Sequence, residues 1–106
     1  MKKFLLSVCL VALSHVAYAD QEETASPEAI RKGAKLYEHH CSACHGPRMA
    51  DPEGAFDLRK FPPEQHNRFV NSVTNGKNSM PPWGGLLKPD DIESLWAYVV
   101  AGEKRR

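Results

Sequence analysis

No apolar run in this sequence reaches the roughly 18–20 residues that a membrane-spanning helix requires. Neither sign of charge is in excess. Fourteen Lys and Arg stand against thirteen Asp and Glu, a formal +1, so the basic stripe of a nucleic-acid binder is missing. Strand-type alternation of any length is absent, and so is an internal repeat. With 42% hydrophobic and 25% charged residues, the composition excludes a disordered or collagen-like chain. At 106 residues one domain is the ceiling. Cysteine is scarce, with three in all.

The longest apolar stretch lies at the N-terminus. Met1-Lys2-Lys3 is a short basic start, Phe4 to Val16 is mostly apolar, and Ala17-Tyr18-Ala19 places small residues where a signal peptidase reads. This is a secretory signal peptide over residues 1–19, cut after Ala19. The run is short for a span and ends in a processing site, which argues against an uncleaved anchor. It also continues past Cys9, which argues against a lipoprotein, so Cys9 is discarded. The mature domain is then residues 20–106. It loses Lys2 and Lys3 and becomes formally −1, with twelve basic and thirteen acidic residues. Its thin core invites a staple, and its two cysteines, Cys41 and Cys44, sit in one motif.

Cys41-Ser42-Ala43-Cys44-His45 is C-x-x-C-H, the attachment signature of a c-type haem. Two thiols three positions apart at a helix end can each add to one vinyl group of the same porphyrin. The adjacent imidazole of His45 is then held at the iron as an axial ligand. Three other readings fit less well. Half a zinc site lacks its second pair, since His39, His40 and His66 have the wrong spacing. A thioredoxin-like redox pair lacks the βαβ pattern. A disulfide closing so short a loop cross-links little.

The sixth iron position has several candidates: Met49, Met80, His66 and the His39/His40 pair. Met49 follows His45 by four residues and cannot easily reach the other haem face, and His39 and His40 share the difficulty. His66 falls in an expected helix as a solvated polar residue. Met80 stands in the Gly/Pro-bounded loop Gly76 to Gly85, without periodic apolar neighbours and with Pro81-Pro82 stiffening the chain behind it. Met80 is the assigned axial ligand, with His66 the main alternative. Trp83 either closes the Met side, contacts a haem propionate or simply packs. Arg59 is a candidate propionate partner or an ordinary surface Arg.

Three helices are expected. The first runs about Pro27 to His40, capped by Ser26 with Pro27 at its first position, and Ile30, Ala34 and Tyr37 share one face. The second runs about Pro63 to Thr74, with Phe69, Val70 and Val73 inward and Asn75-Gly76 as its stop. The third runs about Pro89 to Ala101, with Asp90 and Asp91 at its positive end, Ile92, Leu95, Trp96, Val99 and Val100 as its stripe, and Gly102 as its stop. Segment 46–62 reads as an irregular loop along a haem edge.

Taken together these residues resemble a class I cytochrome c over nearly the whole mature chain. Gly33, Tyr37 and Cys41 stand four apart as in that family, and Leu95 and Tyr98 match the partner positions on the last helix. The resemblance implies an all-α class I cytochrome c fold, three main helices and loops around one covalent haem c. It also implies a non-enzymatic electron carrier. Phe56-Asp57-Leu58-Arg59, Phe69-Val70 and Asn75 to Trp83 are similar to small periplasmic cytochromes that serve quinoprotein alcohol dehydrogenases. That narrower likeness implies a periplasmic carrier between such a dehydrogenase and a terminal oxidase or another cytochrome. The family often supplies a proline carbonyl to the proximal His. Here Pro47 and Pro52 are both available, in unfamiliar surroundings. A haem enzyme or gas sensor, with Met80 displaced, is the rival function. It needs a distal group, for which only His66 or Arg68 is on offer. A structural haem-binding fragment of a larger complex is a third reading, but the moderate apolar content gives no hint of the large exposed apolar surface it needs.

Overall fold

The computed structural model describes residues 25–50 and 54–102. The expected signal peptide, its cut after Ala19, and Pro52 lie outside the described residues.

Helix α1 spans Pro27–His40. Ser26 Oγ accepts from the Ala29 amide at 3.1 Å, and Pro27 occupies a position whose amide would have no helical partner. At Cys41 the chain kinks and then makes one further turn, α2, Ser42–His45. The family pattern of three main helices thus gains a fourth, and it is made of the C-x-x-C-H residues themselves.

Helix α3 runs His66–Asn75, three residues later than expected. Residues 62–65 form a separate turn, closed by the Gln65 amide on the Pro62 carbonyl at 3.1 Å. Proline's fixed φ suits that turn as well as a helix start. Phe69 and Val73 are buried as expected, and Val70 is half-buried.

Helix α4 runs Pro89–Ala97 and continues as a wider π-helical turn, Tyr98–Gly102. The stop falls where expected, but the last turn is not α-helical. Asp91 accepts from the Lys88 amide at 2.9 Å and pairs with Lys32 of α1 at 3.0 Å.

The core lies where α1 crosses α4. Tyr37, Leu95, Tyr98 and Val99 are all at most 3% exposed, and the two tyrosine rings lie tilted against each other with centroids 5.3 Å apart. Gly33 permits the approach, since a Cβ there would collide with the Ser94 carbonyl and sit 2.8 Å from the Tyr98 Cβ. Met49, reached by a tight turn over Pro47–Met49, joins this core at 1% exposure. The same core continues through Phe61, Phe69 and Trp96, whose rings pack edge-on and tilted against one another. No helix among the described residues is long and apolar enough to cross a membrane.

Candidate functional site

One cavity of about 590 Å³ opens between these elements, within the roughly 300–1,000 Å³ of small-molecule and cofactor pockets. Cys41, Cys44 and His45 line it from α1 and α2, and Met80 and Trp83 from the loop after α3. Much of the rest is apolar, including Phe61, Phe69, Val73, Leu87, Leu95 and Val99. Residues that sequence spacing alone leaves 35 positions apart, His45 and Met80, therefore share one cavity.

The cysteines are two thiols in different settings. Cys44 is exposed and Cys41 half-buried. Burial, and secondarily the neighbouring Cys44, push the Cys41 thiol up to about 11. His45 Nδ1 lies 3.2 Å from the Phe56 carbonyl. A carbonyl only accepts, so Nδ1 carries the proton and Nε2 keeps its lone pair. The acceptor is the Phe56 carbonyl rather than that of Pro47, and Pro52 lies outside the described residues. Pro47 instead opens the 3₁₀ turn after Gly46. A backbone acceptor carries no side-chain signature, and the only signal was Phe56 standing before Asp57-Leu58-Arg59.

Met80 sits in a loop with little slack. Its amide donates to the Lys77 carbonyl at 2.9 Å, and the Lys77 amide donates to the Met80 carbonyl at 3.1 Å. Gly76 starts the loop at φ 78, where a Cβ would lie 2.8 Å from the Met80 carbonyl oxygen. The Trp83 and Gly84 amides donate to the Val73 and Thr74 carbonyls at 2.8 and 3.1 Å. These bonds satisfy acceptors that the last turn of α3 leaves open.

The other candidates are placed as follows. Met49 is core and His39 is exposed, and neither lines the cavity. His40 does, with its ring 5.2 Å from that of Trp83. His66 lies at the start of α3, bonded to Glu93 at 2.8 Å and edge-on to Trp96, away from the cavity. Arg59 donates from its amide and Nε to Asp57 at 3.0 and 3.2 Å and is not among the lining residues, whereas Arg68 is. From sequence, Arg68 stands only as a distal group for the rival function. Among the described residues no cluster of three or more His, Cys, Asp or Glu side chains is arranged to hold a bare metal ion. The donor set here instead suits a macrocycle: two thiols for covalent attachment, one imidazole with a lone pair, one thioether and an apolar wall.

The family profile of cytochrome c oxidase, cbb3-type, subunit III, matches residues 28–99. Cytochrome c6 of Nostoc sp. is 31% identical over 94% of this chain and 93% of its own length. The solved cytochrome c6 of the diatom Phaeodactylum tricornutum is 28% identical, with a TM-score of 0.52 over 66% of this chain and 88% of that one. A quinohemoprotein alcohol dehydrogenase of Pseudomonas putida is 35% identical with a TM-score of 0.60, covering 68% of this chain. This chain spans only 11% of that enzyme. A profile match over most of the chain and a near full-length relative agree with the fold and the cavity: the protein belongs to the class I monohaem c-type cytochromes, is cytochrome c6-like, and is an electron carrier rather than an enzyme.

Proposed function

We propose that Cys41 and Cys44 hold one haem c through thioethers, that His45 and Met80 are its axial ligands, and that the protein is a periplasmic single-electron shuttle. The observation that carries this reading is the shared cavity, which brings both thiols, the imidazole and the thioether to one largely apolar space. When bound, the haem supplies a one-electron Fe(III)/Fe(II) couple. The residues do the rest. His45 presents Nε2 because its Nδ1–H donates to the Phe56 carbonyl. Met80, as a soft thioether, favours the reduced state over a second imidazole. The apolar wall excludes water and disfavours the extra charge of the oxidised state. With His45 and Met80 both committed to the iron, the chain would leave no open place there for a substrate.

Arg59 and Trp83 remain candidate propionate contacts, and Arg68, as a cavity-lining cation, joins them. Residues 1–19 act as the cleaved export signal, and residues 20–106 are the working domain. The upstream donor is a periplasmic dehydrogenase. The likeness to part of a quinohemoprotein alcohol dehydrogenase supports one of the quinoprotein class, with a terminal oxidase or another cytochrome as acceptor.

The ligand set is tested by substitution. Met80→Ala should abolish the weak red-end absorption of the ferric Met-ligated state, lower the reduction potential and admit exogenous ligands, while His66→Ala should do none of these. The reverse pattern overturns the assignment. In Cys41→Ala/Cys44→Ala the haem should separate from the denatured polypeptide, and retention would sink the attachment claim.

A further inference from the structure

Tyr37 bonds to both ends of the C-x-x-C-H motif. Its backbone carbonyl accepts from the Cys41 amide at 2.8 Å. Its hydroxyl, on a side chain 1% exposed, donates to the Gly46 carbonyl at 2.6 Å. The Met49 amide donates to the same Gly46 carbonyl at 3.2 Å. The ring alone suffices for the helix crossing, where it lies tilted against Tyr98, and a phenylalanine would pack there as well. The hydroxyl is an added polar group in the driest part of the core, and such a group is costly unless paired.

The segment it pairs with is unusual. Arg48 and Met49 both have left-handed backbones, at φ 53 and 63. Neither is glycine, so each is strained and needs its surroundings to hold it. The turn begins one residue after His45 and ends with Met49 locked in the core.

We infer that the Tyr37 hydroxyl is a positioning group for His45: it pins the strained turn at Gly46–Met49 and so fixes the chain leaving the imidazole, while the Tyr37 carbonyl fixes the chain entering the motif. The inference rests on His45 being an iron ligand. Phe56 holds the ring at Nδ1 and Tyr37 holds the backbone beneath it, so the imidazole is restrained at two independent points.

The test uses the haem-loaded protein and its Tyr37→Phe variant, with Ile92→Val as comparator. Ile92 is 3% exposed and does not line the cavity. Tyr37→Phe should move the hyperfine-shifted His45 ring resonances, shift the reduction potential and raise amide exchange at Met49 by about tenfold or more. Ile92→Val should lower the unfolding midpoint and leave those three readouts in place. Unchanged His45 resonances and potential in Tyr37→Phe overturn the inference, as do changes no larger than those in Ile92→Val. If Tyr37→Phe does not accumulate folded, the unsubstituted protein decides. A slowly exchanging Tyr37 hydroxyl proton close to Gly46 supports the inference, and rapid exchange overturns it. Absence of hyperfine-shifted His45 resonances from the unsubstituted protein overturns the ligand assignment itself, a failure separate from loss of the positioning role.

Discussion

One hydroxyl and one carboxyl near the motif are shifted in opposite directions. Burial pushes Tyr37 up to about 12, with the Met49 amide and nearby charges as smaller influences. A raised group keeps its full contribution to stability below its ordinary pKa near 10 and loses it as pH rises toward 12. Alkaline unfolding followed by circular dichroism should therefore steepen between pH 10 and 12, and Tyr37→Phe should flatten that limb. Asp57 is held below its ordinary value chiefly by the Arg59 side chain. A lowered carboxyl contributes above its ordinary pKa of about 4 and fades as pH falls through its native one. Acid below about pH 4 should first loosen the segment around Phe56, seen as faster amide exchange at Arg59, and Asp57→Asn should remove that pH dependence. Much at this scale was readable beforehand. Cys41, Cys44, His45 and Met80 stand out as candidates by chemistry and spacing, and the structure brings them to one cavity, whereas the Phe56 carbonyl and the Tyr37 hydroxyl bond depend on backbone conformation after Gly46 that no residue type encodes.

Each element shows how far local signals carry. Helix α1 begins and ends where expected because a cap, an N-terminal proline and a clear apolar period agree. Helix α3 starts later than its sequence suggests because Pro62-Pro63 serves a turn as readily as a helix. The π-helical end of α4 has no local signal, since it lies where Tyr98 approaches Gly33 across the crossing. That crossing is the element most exposed to one added methyl group. Gly33→Ala should cost ~3 kcal/mol by forcing α1 off Ser94, measured by denaturant unfolding of the haem-loaded protein. Ser26→Ala, which removes only a cap bond, should cost ~1 kcal/mol. Equal losses would mean that the crossing can relax.

For the molecule as a whole, the expected mature chain is formally −1, and two ionised propionates would bring it to about −3 before iron is counted. It does not carry the strongly basic charge of mitochondrial-type carriers, so docking on a redox partner should depend little on long-range steering. Exposed, mostly uncharged residues line the cavity instead, with Cys44 on one side, Asn78, Ser79 and Pro81 on another and Phe56 at 50% exposure. Between roughly 0.01 and 0.15 M salt the electron-transfer rate should fall only several-fold. A fall of about a hundredfold, reversed by charge swaps at Lys77 and Lys88, would show that electrostatics governs docking.

The Met80 loop bears on how quickly such a carrier can work. Lys77 and Met80 bond each other in both directions, and Trp83 and Gly84 are sewn to the end of α3. If Met80 ligates the proposed haem, so short and closed a ring would hold its side chain in one place in either oxidation state. Electron exchange would then require little rearrangement of nuclei, and the reorganisation energy would stay small. The driving force between donor and acceptor would be left for speed rather than absorbed in reshaping the protein.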